Sequence, residues 1–211
     1  MEQIVLLGGG GHCKSVLDSI ISGGKYEIFG IVDSNKSKDD NMFGVSFLGG
    51  DEILPELISK GIDKLFITVG SVGDTTIRRK LYEKCKSIGF SFPTIIDRSA
   101  CVSEFACVEE GVFIGKNAII NATSTIRKMA IINSGAIIEH DCEIGEFVHI
   151  SPAVTLCGNV KIGDDSHIGA NATVIQGISI PPKTVVGAGG VVVKNITAAG
   201  VYVGNPVAFL R

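Results

Sequence analysis

Residues 126–150 read IRKMAIINSGAIIEHDCEIGEFVHI, with isoleucine at 126, 132, 138, 144 and 150. A six-residue beat drifts around a helix of 3.6 residues per turn, whereas strands of period two keep it on one side. Followed outward, the beat runs unbroken from Ile96 through Val102, Val108, Ile114 and Ile120 to Ile180, Val186 and Val192. Four residues after most of these stands a small one: Ala100, Ala106, Ala118, Ser124, Ala130, Ala136, Cys142, Ser166, Ala172. The spacing predicts a β-helix solenoid, each hexapeptide one short strand and one corner. The aliphatic residue points inward, and the Gly or Asn that follows it (Gly115, Asn121, Asn133, Gly145, Gly163, Gly169) is expected to make the turn. The absence of tryptophan suits a narrow core of Ile and Val.

The preceding residues have another rhythm. In IVLLGGGGHCKSVLDSIISGG an apolar run, Ile4–Leu7, meets four glycines and then Val16, Ile20 and Ile21 at helical spacing. YEIFGIVD supplies a second strand ending at Asp33, and KLFITVG a third ending at Gly70. The segment 75–90 reads as an amphipathic helix with Ile77, Leu81 and Ile88 on one face. Strands alternating with helices predict a small parallel α/β domain over residues 1–92, followed by the solenoid over 93–211. A ligand of such a sheet lies at the carboxyl ends of its strands, near Gly10, Gly11, His12, Asp33, Ser34, Gly70 and Ser71. GGGGHCKS departs from GxGxxG because Cys13 stands where the third glycine belongs, so the run offers phosphate-binding amides rather than a dinucleotide fingerprint.

Composition narrows the field. A net charge of −3 gives no footprint for nucleic acid, and no stretch reads as a signal peptide or a membrane span. Six cysteines without a CxxC pair point to reduced thiols and a cytoplasmic protein.

Hexapeptides of this form resemble the left-handed β-helix acyltransferases. The order of the two halves, with Gly11-His12, Asp33, INSGAIIEHDCEIGEFVHIS, GNVKIGDDSHIGANATV and the closing VYVGNP, is similar to one subfamily: nucleotide-sugar N-acetyltransferases and sialic-acid O-acetyltransferases. The four-glycine run departs mildly from that subfamily. The resemblance implies a left-handed coil of three hexapeptides, acetyl-CoA as co-substrate, no metal, and a homotrimer. It also implies transfer to the amine of a nucleotide-linked sugar, a 4-amino sugar in particular, for a bacterial surface glycan. Sialic-acid O-acetylation stands as the alternative. A gamma-type carbonic anhydrase on the same coil needs a His-x4-His spacing that is missing here.

With eighteen residues per coil, His149 and His167 share a column. His140 and His149 are nine apart, half a circuit, and fall on opposite sides of the prism. The gap between those sides is roughly 15 Å, from sides of about five residues at ~3.3 Å each. If both histidines serve one reaction, they come from different subunits. The resemblance gives His140 the role of general base, Asp141 that of its polarising partner, and Asn133 that of a sugar contact. It assigns His149, Gly158, Ala170, Gly187, Ala188, Gly189 and Lys194 to acetyl-CoA, His149 and the Gly158 amide at the acetyl carbonyl and Lys194 at a phosphate.

Overall fold

A computed structural model describes residues 1–211. The chain forms two compact units, one of residues 1–71 with 76–95, the other of residues 72–75 with 96–211. The short segment 72–75 joins the second unit through the Thr75 hydroxyl, which donates to the Asp165 carboxylate.

In the first unit the parallel strands are β1 (Glu2–Leu7), β2 (Tyr26–Val32), β4 (Val45–Gly49) and β5 (Leu65–Ile67), and β3 (Asn41–Met42) pairs antiparallel with β4. Their order is β3-β4-β2-β1-β5. Ile4, Val5, Leu6 and Leu7 are buried, as a strand covered on both faces requires. Helix α1 (Gly11–Gly23) follows β1 and ends at Gly24, whose φ of 64° is the left-handed stop that glycine supplies freely. It buries Val16 and Ile20 and leaves Ile21 at 54% exposure. Helices α2 (Leu54–Ser59) and α3 (Thr76–Ile88) complete the unit. The periodicity of α3 is as expected but its phase is one residue off. Arg78, Tyr82 and Cys85 are buried, while Ile77 is 64% exposed and Leu81 and Ile88 lie half-buried on the flank. The β3–β4 hairpin adds an element beyond the three strands expected from the sequence.

The second unit is a parallel β-helix. Two-residue strands from Ile95–Ile96 to Val191–Val192 recur every six residues and stack into three sheets, one strand per sheet per coil. Face 1 carries Ile119–Ile120, Ile137–Ile138, Thr155–Leu156 and Thr173–Val174 in register. Face 2 carries Thr125–Ile126, Glu143–Ile144, Lys161–Ile162 and Ser179–Ile180. Face 3 carries Phe113–Ile114, Ile131–Ile132, His149–Ile150, His167–Ile168 and Val185–Val186. A hairpin of Val201–Gly204 and Val207–Phe209 extends face 3 past the last coil. The second residue of each strand points inward. From Ile114 to Val192 all these aliphatics are buried. Each such side chain contributes about 1.5–3 kcal/mol. The first coil departs: Ile96 is 45% exposed and Val102 and Val108 are half-buried, because no coil lies below to cover them.

The corners correct one expectation. Fourteen residues from Gly111 to Gly189, at six-residue intervals, have φ between 55° and 71°, and each stands three places after the inward aliphatic, not one. The glycines directly after the aliphatic serve coil stacking instead: a Cβ at Gly145 would stand 2.6 Å from the Asp164 amide nitrogen, and one at Gly163 2.6 Å from Pro182 Cδ.

Candidate active site

His140 lies on the corner where the chain passes from face 1 to face 2, between strands Ile137–Ile138 and Glu143–Ile144. Successive side chains on an extended strand point apart. Here, however, His140 Nδ1 and Asp141 Oδ2 are 2.8 Å apart. The corner explains it: Asp141 has a φ of 61°, which turns its carboxylate back onto the preceding imidazole. Asp141 Oδ1 accepts a hydrogen bond from the Thr123 hydroxyl at 2.5 Å, one coil below. The carboxylate hydrogen bond, then the charges of Asp141 and Glu139, raise the imidazole above its ordinary pKa. Hydrogen bonds from Thr123 and His140 in turn hold the Asp141 carboxyl below its ordinary value. With Nδ1 facing the carboxylate, Nε2 is the atom left to take a proton from outside.

One coil above, Gly158 leaves room for the ring, since a Cβ there would stand 2.7 Å from both Cε1 and Nε2 of His140. Residues 140, 158 and 176 follow one another by eighteen, and Asn159 N donates to His140 O as Gly177 N does to Gly158 O, so His140, Gly158 and Gln176 form a column on this corner; the regular corner ends before Lys194. Near its top a cleft of about 320 Å³ is lined by Lys194, Ile196, Tyr202, Pro206 and Val207.

His149 stands on face 3, which the triangular section sets opposite the His140 corner. Its Nε2 lies 3.3 Å from Asn133 Nδ2. Asn133 Oδ1 already accepts from the Ser134 amide at 2.8 Å. The Asn133 amide nitrogen therefore donates and His149 Nε2 accepts, which places the ring proton on Nδ1. His167, in register one coil above, meets His149 edge-on with ring centroids 5.0 Å apart. Burial pushes the His167 pKa down from its ordinary value. The eighteen-residue spacing signals this neighbour, although His167 is not among the expected site residues. Thr123, eighteen before Asp141, is a residue that sequence reasoning misses altogether.

The corner between faces 3 and 1 carries Ala170 and Ala188. Their amides, like that of Gly158, donate to no backbone carbonyl of the ladder. Gly187 and Gly189 differ from Ala170 and Ala188 in what their amides do. The glycine amides donate to Tyr202 O and Ala170 O, both at 2.8 Å, because the ladder between coils uses them.

In the first unit the ends of β1, β2 and β5 bring Gly10, Gly11, His12, Asp33, Ser34, Gly70 and Ser71 together. The four glycines divide in two. A Cβ at Gly8 would stand 2.6 Å from Val69 Cγ2, and one at Gly9 2.5 Å from Phe47 Cε1, whereas Gly10 and Gly11 face open space at the start of α1. Asp33 ties two loops together, its carboxylate accepting from the amides of Gly9 at 2.7 Å and Asn35 at 2.9 Å. Nothing in the sequence pattern announces that structural duty. A Cβ at Gly70 would lie 3.6 Å from that of His12. No group of three or more His, Cys, Asp and Glu side chains is placed to hold a metal. Burial raises the Cys13 and Cys85 thiols to about 11. Thiols held protonated in this way are unsuited as nucleophiles.

The profile of the PglD N-terminal domain matches residues 3–85, and that of the bacterial transferase hexapeptide (six repeats) matches residues 141–176. PerB from Caulobacter crescentus, solved with CoA and GDP-perosamine, is 37% identical, with 100% of this chain and 98% of that chain covered and a TM-score of 0.93. The acetyltransferase domain of PglB from Neisseria gonorrhoeae FA1090 is 31% identical, with 100% of each chain covered and a TM-score of 0.92. The same domain in complex with acetyl coenzyme A is 31% identical over 99% of each chain, with a TM-score of 0.91. The chain belongs to the nucleotide-sugar N-acetyltransferases of the left-handed β-helix family. It is an acetyltransferase, and the α/β domain followed by a left-handed β-helix is the fold expected from the hexapeptide beat. No helix is long and apolar enough to cross a membrane.

Proposed function

We propose that the protein moves the acetyl group of acetyl-CoA to the exocyclic amine of a nucleotide-linked 4-amino sugar, as a step in building a surface glycan. The observation that carries this reading is the His140–Asp141 pair, 2.8 Å apart on an exposed corner, with the ring resting against Gly158. The amine attacks the thioester carbonyl carbon while His140 Nε2 takes the amine's proton. The carbonyl oxygen becomes an oxyanion, for which the amide of Gly158 and the Nδ1–H of His149 are the donors. Collapse breaks the C–S bond, and the imidazolium returns its proton to the departing thiolate. The products are the amide and CoA.

His140 lies on one side of the prism and His149 on the other, so a shared reaction needs two copies of the chain. We assign the active site to grooves between parallel subunits of a homotrimer, His140 from one and Asn133 with His149 from the next. The pantetheine runs along the coils past Ala170 and Ala188, whose amides are its donors, and Lys194 takes a phosphate. The nucleotide lies on the first unit, its phosphates at Gly10, Gly11 and His12 at the start of α1, with Asp33, Ser34, Gly70 and Ser71 around it. GDP-perosamine, bound by the similar Caulobacter enzyme, is the first acceptor to try. The cytoplasm, where acetyl-CoA and nucleotide sugars are made, is the proposed site of action, and six unpaired cysteines suit it.

The test is a panel of GDP-, UDP-, dTDP- and CMP-linked amino sugars incubated with acetyl-CoA, read by release of CoA thiol and by product mass. Acetylation at nitrogen of one member upholds the reading. Product ester cleaved by hydroxylamine would replace it with O-acetylation, and no acetylated product from any member would sink it.

A further inference from the structure

Thr123 holds a backbone conformation that its side chain disfavours. Its φ is 61°, and among the non-glycine residues in the left-handed region it is the only β-branched one; the others are Asn, Asp, Ala, Lys, Met and Phe. The coil imposes that conformation here as at the thirteen other corner positions, so what calls for a reason is a β-branched side chain where it is least at ease.

The destination of the hydroxyl supplies the use. Thr123 Oγ1 lies 2.5 Å from Asp141 Oδ1 and 2.6 Å from Ala122 O, and it has one proton to give. The carboxylate is the stronger acceptor because it is charged. Ala122 O, moreover, already accepts from the Asp141 amide at 3.1 Å. Asp141 is thus gripped by its amide and by one carboxylate oxygen, both from residues one coil below. The other oxygen is left to meet His140 Nδ1.

We propose that Thr123 is a positioning residue of the active site, the third member of a Thr123–Asp141–His140 chain that sets the direction of the catalytic imidazole. The hydroxyl fixes the rotation of the Asp141 carboxylate, and the carboxylate fixes the ring. Without it the carboxylate, on an exposed corner, turns toward water and releases Nδ1. The charged groups facing the pair are Glu139 beside His140 and, across the open groove next to Asp141, Arg127 and Glu143. None of them is within hydrogen-bond distance of His140 Nδ1 or of the Asp141 carboxylate, so none replaces Thr123.

This inference rests on His140 being the base of the proposed acetyl transfer, and its test separates the two. Three variants are compared in the full-length protein: Thr123→Val keeps the shape and loses the hydroxyl, Thr123→Ser keeps the hydroxyl, and Thr123→Gly loses both hydroxyl and strain. The His140 imidazole is titrated by NMR, assigned by its disappearance in His140→Ala, and kcat and KM are measured for both substrates. In Thr123→Val and Thr123→Gly the titration midpoint falls toward that of a free imidazole. In both, kcat drops about 10- to 100-fold, the range of one hydrogen bond to a charged group, with both KM values unchanged. Thr123→Ser restores midpoint and kcat. A Gly or Val variant with the parent's midpoint and kcat overturns the proposal, as does a Ser variant that behaves like Val. A shifted midpoint in a protein that acetylates no acceptor upholds the placement of Thr123 and refutes the acetyl-transfer reading instead.

Discussion

The His140 imidazole rests against the backbone of Gly158, one coil further along the prism, where a Cβ would stand 2.7 Å from Nε2. Gly158→Ala therefore leaves the ring no place in its present position. Gly158 is not among the residues of positive φ, so the substitution costs the backbone little. We expect kcat to fall on the order of 10²-fold, as a displacement of about 1 Å produces, with a melting temperature close to the parent's. Full turnover in a folded Ala variant would show that the ring acts from elsewhere.

His140→Ala removes the proposed base. The chemical step should slow by on the order of 10²- to 10⁴-fold, while acetyl-CoA binding, measured by calorimetry, stays intact. Near-normal turnover would take His140 out of the mechanism.

The acid side of the pH profile follows from the Asp141 contact. A general base works unprotonated, and the hydrogen bond to Asp141 raises the imidazole above its ordinary value. Activity is then lost as pH falls through the raised value, so the acid limb of kcat/KM should lie above about 6.5. Asp141→Asn should move that limb downward and lower kcat. An acid limb that does not move would mean that Asp141 leaves the base untouched.

Asp33 joins two loops of the first unit through the amides of Gly9 and Asn35. Asp33→Ala should raise KM for the nucleotide sugar at least tenfold and leave KM for acetyl-CoA unchanged. Equal effects on both substrates would place the nucleotide elsewhere.

Subunit mixing tests the shared groove. His140→Ala and His149→Ala proteins, each close to inactive, are unfolded together and refolded. Random assembly into closed trimers joins an intact His140 to an intact His149 in roughly a quarter of the grooves. Activity no greater than the mean of the two parents would show that these histidines serve separate sites.

The solenoid was legible because its signal is a period, and a period of six over residues 96–192 admits no other regular element. The opposition of His140 and His149 was legible for the same reason, since spacing alone places residues on a prism of known repeat. The turn position was not, because the backbone ladder imposes the left-handed conformation even on Met129, Phe147 and Lys183, none of which signals a turn. Nor could side-chain pattern reveal that the Gly187 and Gly189 amides were already used between coils. In α3 an arginine occupies the buried face, so apolar spacing alone gave a phase one residue off. Thr123 is not legible in the sequence, because a hydroxyl eighteen residues away gains meaning only once Asp141 is known to turn toward it.

The column His140, Gly158 and Gln176 has a consequence for how such a chain can lengthen. Inserting one hexapeptide after Gly158 would leave every inward aliphatic in place and the coil intact, yet turn everything beyond it by a third of a revolution. Gln176 would then leave the corner it shares with His140, and the cleft around Ile196, Tyr202 and Val207 would turn with it. An insertion of eighteen residues would instead keep the corner and lift Gln176 one rung, about 4.8 Å, farther from the imidazole. The fold counts in sixes, but the separation of two residues on one corner can be changed only in eighteens.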